Sequence, residues 1–173
     1  MNLTLFDLDH TLIPIDSDYE WGVFTTALGW TDAQEFRRQN DAFYEQYKNG
    51  TLDVHAYVRF ATAAMRHKGR IQSELAREQF MSEVVQPAIK PQALKLLRQH
   101  QVAGDAVIIV TATNEFVTQP IAQALGVSEL MAVQLERDPA QDWFTGEISG
   151  TPSFREGKVA RIEQWLSQRH LRW

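Results

Sequence analysis

The 173-residue sequence contains no cysteine. Disulfide frameworks, thiolate metal sites and cysteine nucleophiles are therefore excluded, and any metal must take oxygen or imidazole ligands. The absence fits a reducing compartment, so the expected location is the cytoplasm. Excess positive charge is lacking too: 17 Lys and Arg stand against 22 Asp and Glu, a formal net charge of −5. The molecule as a whole thus has no electrostatic footprint for nucleic acid. No stretch approaches the roughly 20 apolar residues of a membrane span, so neither nucleic acid nor membrane is expected as a partner. The first nine residues carry no basic cluster, and Asp7 and Asp9 break their apolar run, so they do not read as a secretory signal. Internal repeats and low-complexity segments are absent.

What is present is the balance of one soluble globular domain, 44% apolar and 23% charged. Nine Phe, five Trp and four Tyr give its core bulk. Leu3–Phe6 is short, apolar and β-prone and ends in Asp7-Leu8-Asp9-His10-Thr11, a buried strand running into a polar turn. Ala106–Val110 is a β-branched run without polar alternation, the mark of a parallel strand covered on both faces, and it ends in Thr111-Ala112-Thr113-Asn114. Between them lie apolar positions at helical spacing, in stretches closed by Gly29, Asn49-Gly50, Gly69 and Pro87. Four amphipathic helices in a row are expected to form their own small bundle, inserted into the sheet domain as a lid.

The spacing further predicts helices over 91–101 and 115–125, short strands over 131–135 and 143–148 joined by the turn-rich 138–142, and a last helix over 158–168. The fold class is therefore α/β: a Rossmann-like parallel-sheet core formed by residues 1–14 and 87–173, carrying a helical cap of residues 15–86.

Asp7 and Asp9 lie just past the carboxyl end of the first strand, where open α/β sheets bind ligands. Two such charges repel, and Mg²⁺ is the natural cation to offset them, because it accepts carboxylate, carbonyl and water oxygens. The competing reading makes them ordinary turn formers or helix caps. Thr111, with the backbone amides of Ala112 and Thr113 ahead of a helix, offers an oxyanion cradle, whereas as an N-cap it would serve structure alone. Lys158 opens the last helix, where a basic residue opposes the helix dipole. A phosphate or the Asp7 carboxylate would supply its partner; a solvated lysine is the alternative.

The order of these parts, D-L-D-H-T after one strand, I-I-V-T after a second and G-K-V opening a later helix, resembles the first three motifs of the haloacid dehalogenase superfamily of phosphohydrolases. The helical insertion after the first motif is similar to the cap of its phosphoserine-phosphatase-like subfamily, and T-A-T-N-E-F followed by P-I-A-Q-A-L-G looks like the bacterial branch. The resemblance implies a Mg²⁺-dependent phosphomonoesterase acting on a small phosphorylated metabolite. In it Asp7 would be the nucleophile that becomes an aspartyl-phosphate, and Asp9 the acid that protonates the leaving alcohol and then activates water. Thr111 and Ala112 would bind phosphoryl oxygens and Lys158 would offset charge, with Asp7 and the main-chain carbonyl of Asp9 on the metal.

Two departures stand out. Where the subfamily has a cap glutamate that reads the substrate amine, this chain has Asp16, with Asp18 and Glu20 close by. These acids either meet the substrate or form a solvated acidic helix start. The family's fourth motif, an acidic pair after the lysine helix, has no counterpart, since no aspartate occurs from Val159 to Trp173. The expectation is a metal held by fewer anionic ligands, in either a shortened version of a longer phosphatase or a variant without one sheet edge. Trp165, Leu166, Leu171 and Trp173 of the final stretch are then expected to expose apolar surface that favours a homodimer. The alternative function is a non-catalytic phosphate-ligand or partner-binding protein on the same fold.

Overall fold

A computed structural model describes residues 2–171. The element order is β1 (Leu3–Phe6), α1 (Ser17–Ala27), α2 (Ala33–Asn49), α3 (Val54–Lys68), α4 (Arg70–Phe80), a π-helical stretch (Met81–Val85), α5 (Gln86–Ala88), α6 (Pro91–Val102), β2 (Ala106–Asn114), α7 (Glu115–Ala124), β3 (Glu129–Val133), β4 (Leu135–Asp138), β5 (Trp143–Ile148) and α8 (Glu156–Gln168). The strands β1, β2 and β3 form a parallel sheet in that order, with Leu3 opposite Ala106 and Ile108 opposite Glu129. An antiparallel hairpin, β4 and β5, stands apart from it. This is the α/β, Rossmann-like architecture with a helical cap.

Three of the cap helices start where short acidic side chains can accept orphan backbone N–H groups, and α4, which follows Gly69, has no side-chain cap. Asp16, Asp32 and Asp53 cap α1, α2 and α3, each accepting from two amides of its first turn. Gly50 ends α2 at φ 81, a left-handed C-cap that glycine adopts without a Cβ penalty. The fourth predicted helix begins earlier than its apolar spacing suggests, at Arg70, and widens into the π-helical stretch just before Pro87, with Gln86 N–H donating to Met81 O.

The cap does not build a core of its own. Trp21, Val58, Met65 and Phe80 from the cap belong to one continuous apolar cluster with Leu8, Ile109, Phe116, Val133 and Phe144. Burying these side chains together removes apolar area from water, worth about 25 cal/mol per Å², and so holds cap and sheet against one another. The other sheet face, Ile108, Val110 and Met131, is covered by Ile162 and Leu166 of α8.

That placement corrects the expectation of an exposed final helix. Leu166 is buried, and Trp165 packs beside it and donates Nε1–H to Glu129 Oε2 at 3.1 Å. The helix spends its apolar stripe on its own sheet, so the argument for a homodimer through that face loses its basis. Val159 and Leu171 are exposed, and Trp173 lies outside the described residues. The expected 131–135 strand also divides: residues through Val133 extend the parallel sheet, while Leu135 turns into the hairpin with Ile148 opposite it. Strand β1 is only half-buried because it forms an edge of the three-stranded sheet.

Candidate active site

The loop after β1 is built around the carbonyl of Leu8, which accepts N–H bonds from Thr11, Leu12 and Ile13 at 3.2, 2.9 and 3.2 Å. Leu8 itself is fully buried, so the D-L-D sequence anchors its middle residue in the core and leaves the flanking carboxylates at the sheet's end. His10 takes φ 54, a left-handed conformation that non-glycine residues adopt at tight turns. It is exposed, as are His55 and His67, and Arg59 pairs with Glu147 at 3.2 Å.

Lys158 reaches Asp7 across 151 positions of sequence, with Nζ donating to Oδ1 at 3.0 Å. The lysine side chain is 29% exposed and the aspartate 52%, so the pair faces an open site rather than the interior. Lys158 is placed by a tight approach beside it: a Cβ on Gly157 would lie 2.0 Å from the Pro152 carbonyl oxygen. Only glycine fits there, and that lets the first turn of α8 close on the preceding loop.

Asp9 points the other way. Its Oδ1 accepts the Ser17 backbone N–H at 2.7 Å, and its Oδ2 accepts the hydroxyls of Thr113 at 3.0 Å and Thr111 at 3.3 Å. Burial pushes its carboxyl above the ordinary range and the negative charge of Asp16 adds to this, while the bonds from Ser17 and Thr113 pull it back. A raised pKa keeps a proton available for donation nearer neutrality.

Thr111 is buried and is no helix cap; Asn114 takes that role for α7, its side chain accepting from Val117 N–H at 3.2 Å. Of the two amides expected to form a cradle, that of Thr113 donates to the Thr111 hydroxyl at 3.1 Å, leaving the half-buried Ala112 as the amide candidate. The alternation of the strand places Thr111 and Thr113 on one face, a signal for Thr113 that was present in T-A-T.

Asp16 is an exposed N-cap, as an acidic helix start should be. Asp18 is not solvated: it is 8% exposed, and its carboxylate accepts from Tyr57 Oη at 2.8 Å and Asn114 Nδ2 at 3.3 Å. Burial, helped by the negative charges of Asp16 and Asp9 and opposed by the Tyr57 bond, pushes its carboxyl up to about 7. Both of its oxygens are taken inside the protein. Tyr57 had no sequence signal that separated it from the other cap aromatics.

Among the described residues there is no group of three or more His, Asp or Glu placed to hold a metal. Lys158 engages only Oδ1 of Asp7. Mg²⁺ is commonly bound through one or two carboxylates with waters and substrate phosphate, so one free carboxylate edge and a neighbouring main-chain carbonyl fit that minimal set. The Asp9 side chain, with both oxygens accepting protein hydrogen bonds, does not join it. No described helix is long and apolar enough to cross a membrane.

Comparison with known proteins matches residues 4–173 to haloacid dehalogenase-like hydrolases. A histidinol-phosphatase of Neisseria meningitidis serogroup C is 38% identical over 168 residues, spanning 97% of this chain and 75% of that protein. A solved structure of a protein of unknown function from Bordetella pertussis Tohama I superimposes with a TM-score of 0.89 at 44% identity, over 98% of this chain and 76% of that one. A phosphoserine phosphatase holding a phospho-aspartyl intermediate analogue shares the fold, with a TM-score of 0.66 at 16% identity over 99% of this chain and 73% of its own.

Proposed function

We propose, since the chain belongs to the haloacid dehalogenase-like hydrolase family and is a phosphatase of that family, that it hydrolyses a small phosphomonoester through an aspartyl-phosphate on Asp7. Residues 15–86 serve as the cap over a core of residues 1–14 and 87–173. The observation that carries this reading is the convergence on one sheet end of Asp7 with Lys158, and of Asp9 with Thr111 and Thr113.

In the first step an Asp7 carboxylate oxygen attacks phosphorus as the ester P–O bond breaks, and the leaving alcohol oxygen takes the proton held by Asp9. The raised pKa of Asp9 supports that donor role. In the second step the Asp9 carboxylate accepts a proton from water, the water oxygen attacks phosphorus, and the bond to Asp7 breaks to release phosphate. Lys158 offsets the charge of nucleophile and phosphoryl group, while the Thr111 hydroxyl, turning its proton away from the 3.3 Å contact with Asp9 Oδ2, and the Ala112 N–H bind phosphoryl oxygens. Mg²⁺, held by the Asp7 carboxylate and the Asp9 main-chain carbonyl with waters, would add charge neutralisation at the phosphoryl oxygens.

The Neisseria relative's name makes histidinol phosphate the first ester to try. The cysteine-free composition and net negative charge support work in the cytoplasm on a small metabolite rather than on nucleic acid or a membrane. The test is hydrolysis of p-nitrophenyl phosphate with and without Mg²⁺. Asp7→Asn is expected to abolish turnover while the circular dichroism spectrum stays that of the parent. Turnover by the folded variant, or phosphate binding by the parent without any turnover, overturns the proposal.

A further inference from the structure

We propose that Asp18 is a positioning residue that holds Asp9 in register by clasping the first cap helix to the end of β2, an inference that rests on the acid-base role assigned to Asp9 above. The geometry is a two-armed brace. Asp18 accepts from Tyr57 Oη of α3 at 2.8 Å and from Asn114 Nδ2 at 3.3 Å, so one buried carboxyl group joins two cap helices to the end of β2. Each oxygen of Asp9 is bonded by the residue that immediately precedes one member of this clasp. Ser17, next to Asp18, donates its backbone N–H to Oδ1 at 2.7 Å. Thr113, next to Asn114, donates its hydroxyl to Oδ2 at 3.0 Å.

The two arms therefore hold one oxygen each of the acid-base group. Asn114 is itself anchored, because its side-chain oxygen accepts Val117 N–H at 3.2 Å and its carbonyl accepts the Thr118 hydroxyl at 2.9 Å. Asp16 fixes the helix end by accepting Asp18 N–H at 3.1 Å and Tyr19 N–H at 3.0 Å. A carboxyl group at position 18 thus sets the distance between α1 and β2 at the point where Asp9 is gripped. Without it, the Asn114 amide and Tyr57 hydroxyl lose their shared acceptor, and the grip on Asp9 loosens although every group that touches the phosphoryl site remains.

The test compares Asp18→Ala, Asp18→Asn and Tyr57→Phe with the parent in steady-state hydrolysis of p-nitrophenyl phosphate and in amide hydrogen exchange at Ser17. Misplacing a reacting group by about 1 Å costs up to about 100-fold, so Asp18→Ala is expected to lose about 10- to 100-fold in kcat with KM within about threefold. Asp18→Asn, which still accepts from Asn114 and can donate to Tyr57, should recover most of that loss, and Tyr57→Phe should fall between. Ser17 should exchange faster in Asp18→Ala and in Tyr57→Phe.

A folded Asp18→Ala with parental kcat, a loss confined to KM, no rescue by Asn, or unchanged Ser17 exchange overturns the clasp. Should Asp18→Ala not fold, the milder Tyr57→Phe decides by the same two readouts. A parent without turnover refutes the phosphatase reading instead, and Ser17 exchange then still judges the clasp.

Discussion

Asp18 makes the protein's stability depend on pH in an unusual direction, and Asp18→Asn should remove that dependence. The ordinary Asp value is 3.8, and burial, reinforced by the charges of Asp16 and Asp9 against the Tyr57 hydrogen bond, pushes this carboxyl to about 7 in the folded protein. Between those values the folded state holds a proton that the unfolded chain releases, so stability falls as pH rises. The loss starts near the unfolded value and levels off once the folded group has also ionised. At 1.36 kcal/mol for each of about three units it amounts to on the order of 4 kcal/mol.

An asparagine carries no such proton. Relative to the parent, Asp18→Asn should therefore gain stability by that amount between about pH 4 and about pH 7, whatever fixed offset the substitution introduces. Asp9, whose pKa is also raised, is present in both proteins, so only its coupling to Asp18, the smallest of the causes that raise the Asp18 carboxyl, enters the comparison. Urea unfolding at steps of about one pH unit gives both curves by linear extrapolation. Parallel curves across that window would refute the assignment of a buried, proton-holding carboxyl group at position 18.

Two further substitutions test the packing that places the site. Gly157→Ala puts a methyl group 2.0 Å from the Pro152 carbonyl oxygen, so the start of α8 must shift and Lys158 with it. A loss of about 10-fold in kcat with about 1–3 kcal/mol of destabilisation is expected, and parental values in kinetics and denaturation would show that the loop yields freely. Gly22→Ala brings a methyl group to 2.3 Å from the Phe36 ring, which lies near the rings of Tyr19 and Phe60 in the cap. Overpacking there should cost about 1–3 kcal/mol in urea unfolding, and an unchanged midpoint would mean that α1 and α2 separate without penalty.

Local chemistry wrote much of this protein into its sequence. The β-branched run beginning at Ala106 extends through Asn114 as β2, and Leu3–Phe6 forms β1, because strand propensity and the polar residues that end each strand act over a few neighbours. The order of Asp7, Asp9, Thr111 and Lys158 was legible for the same reason: Asp7 and Asp9 follow the end of β1, Thr111 lies in the carboxyl half of β2, and Lys158 sits in the first turn of α8. Tertiary structure alone decided which side-chain oxygen meets which donor. Asp18 looked like a solvated helix start until Tyr57 and Asn114, 39 and 96 positions away, closed over it. The stripe of α8 looked exposed until the second face of the sheet covered it. Such pairings leave no local signature, since they depend on how whole helices and sheets bury their surfaces against one another.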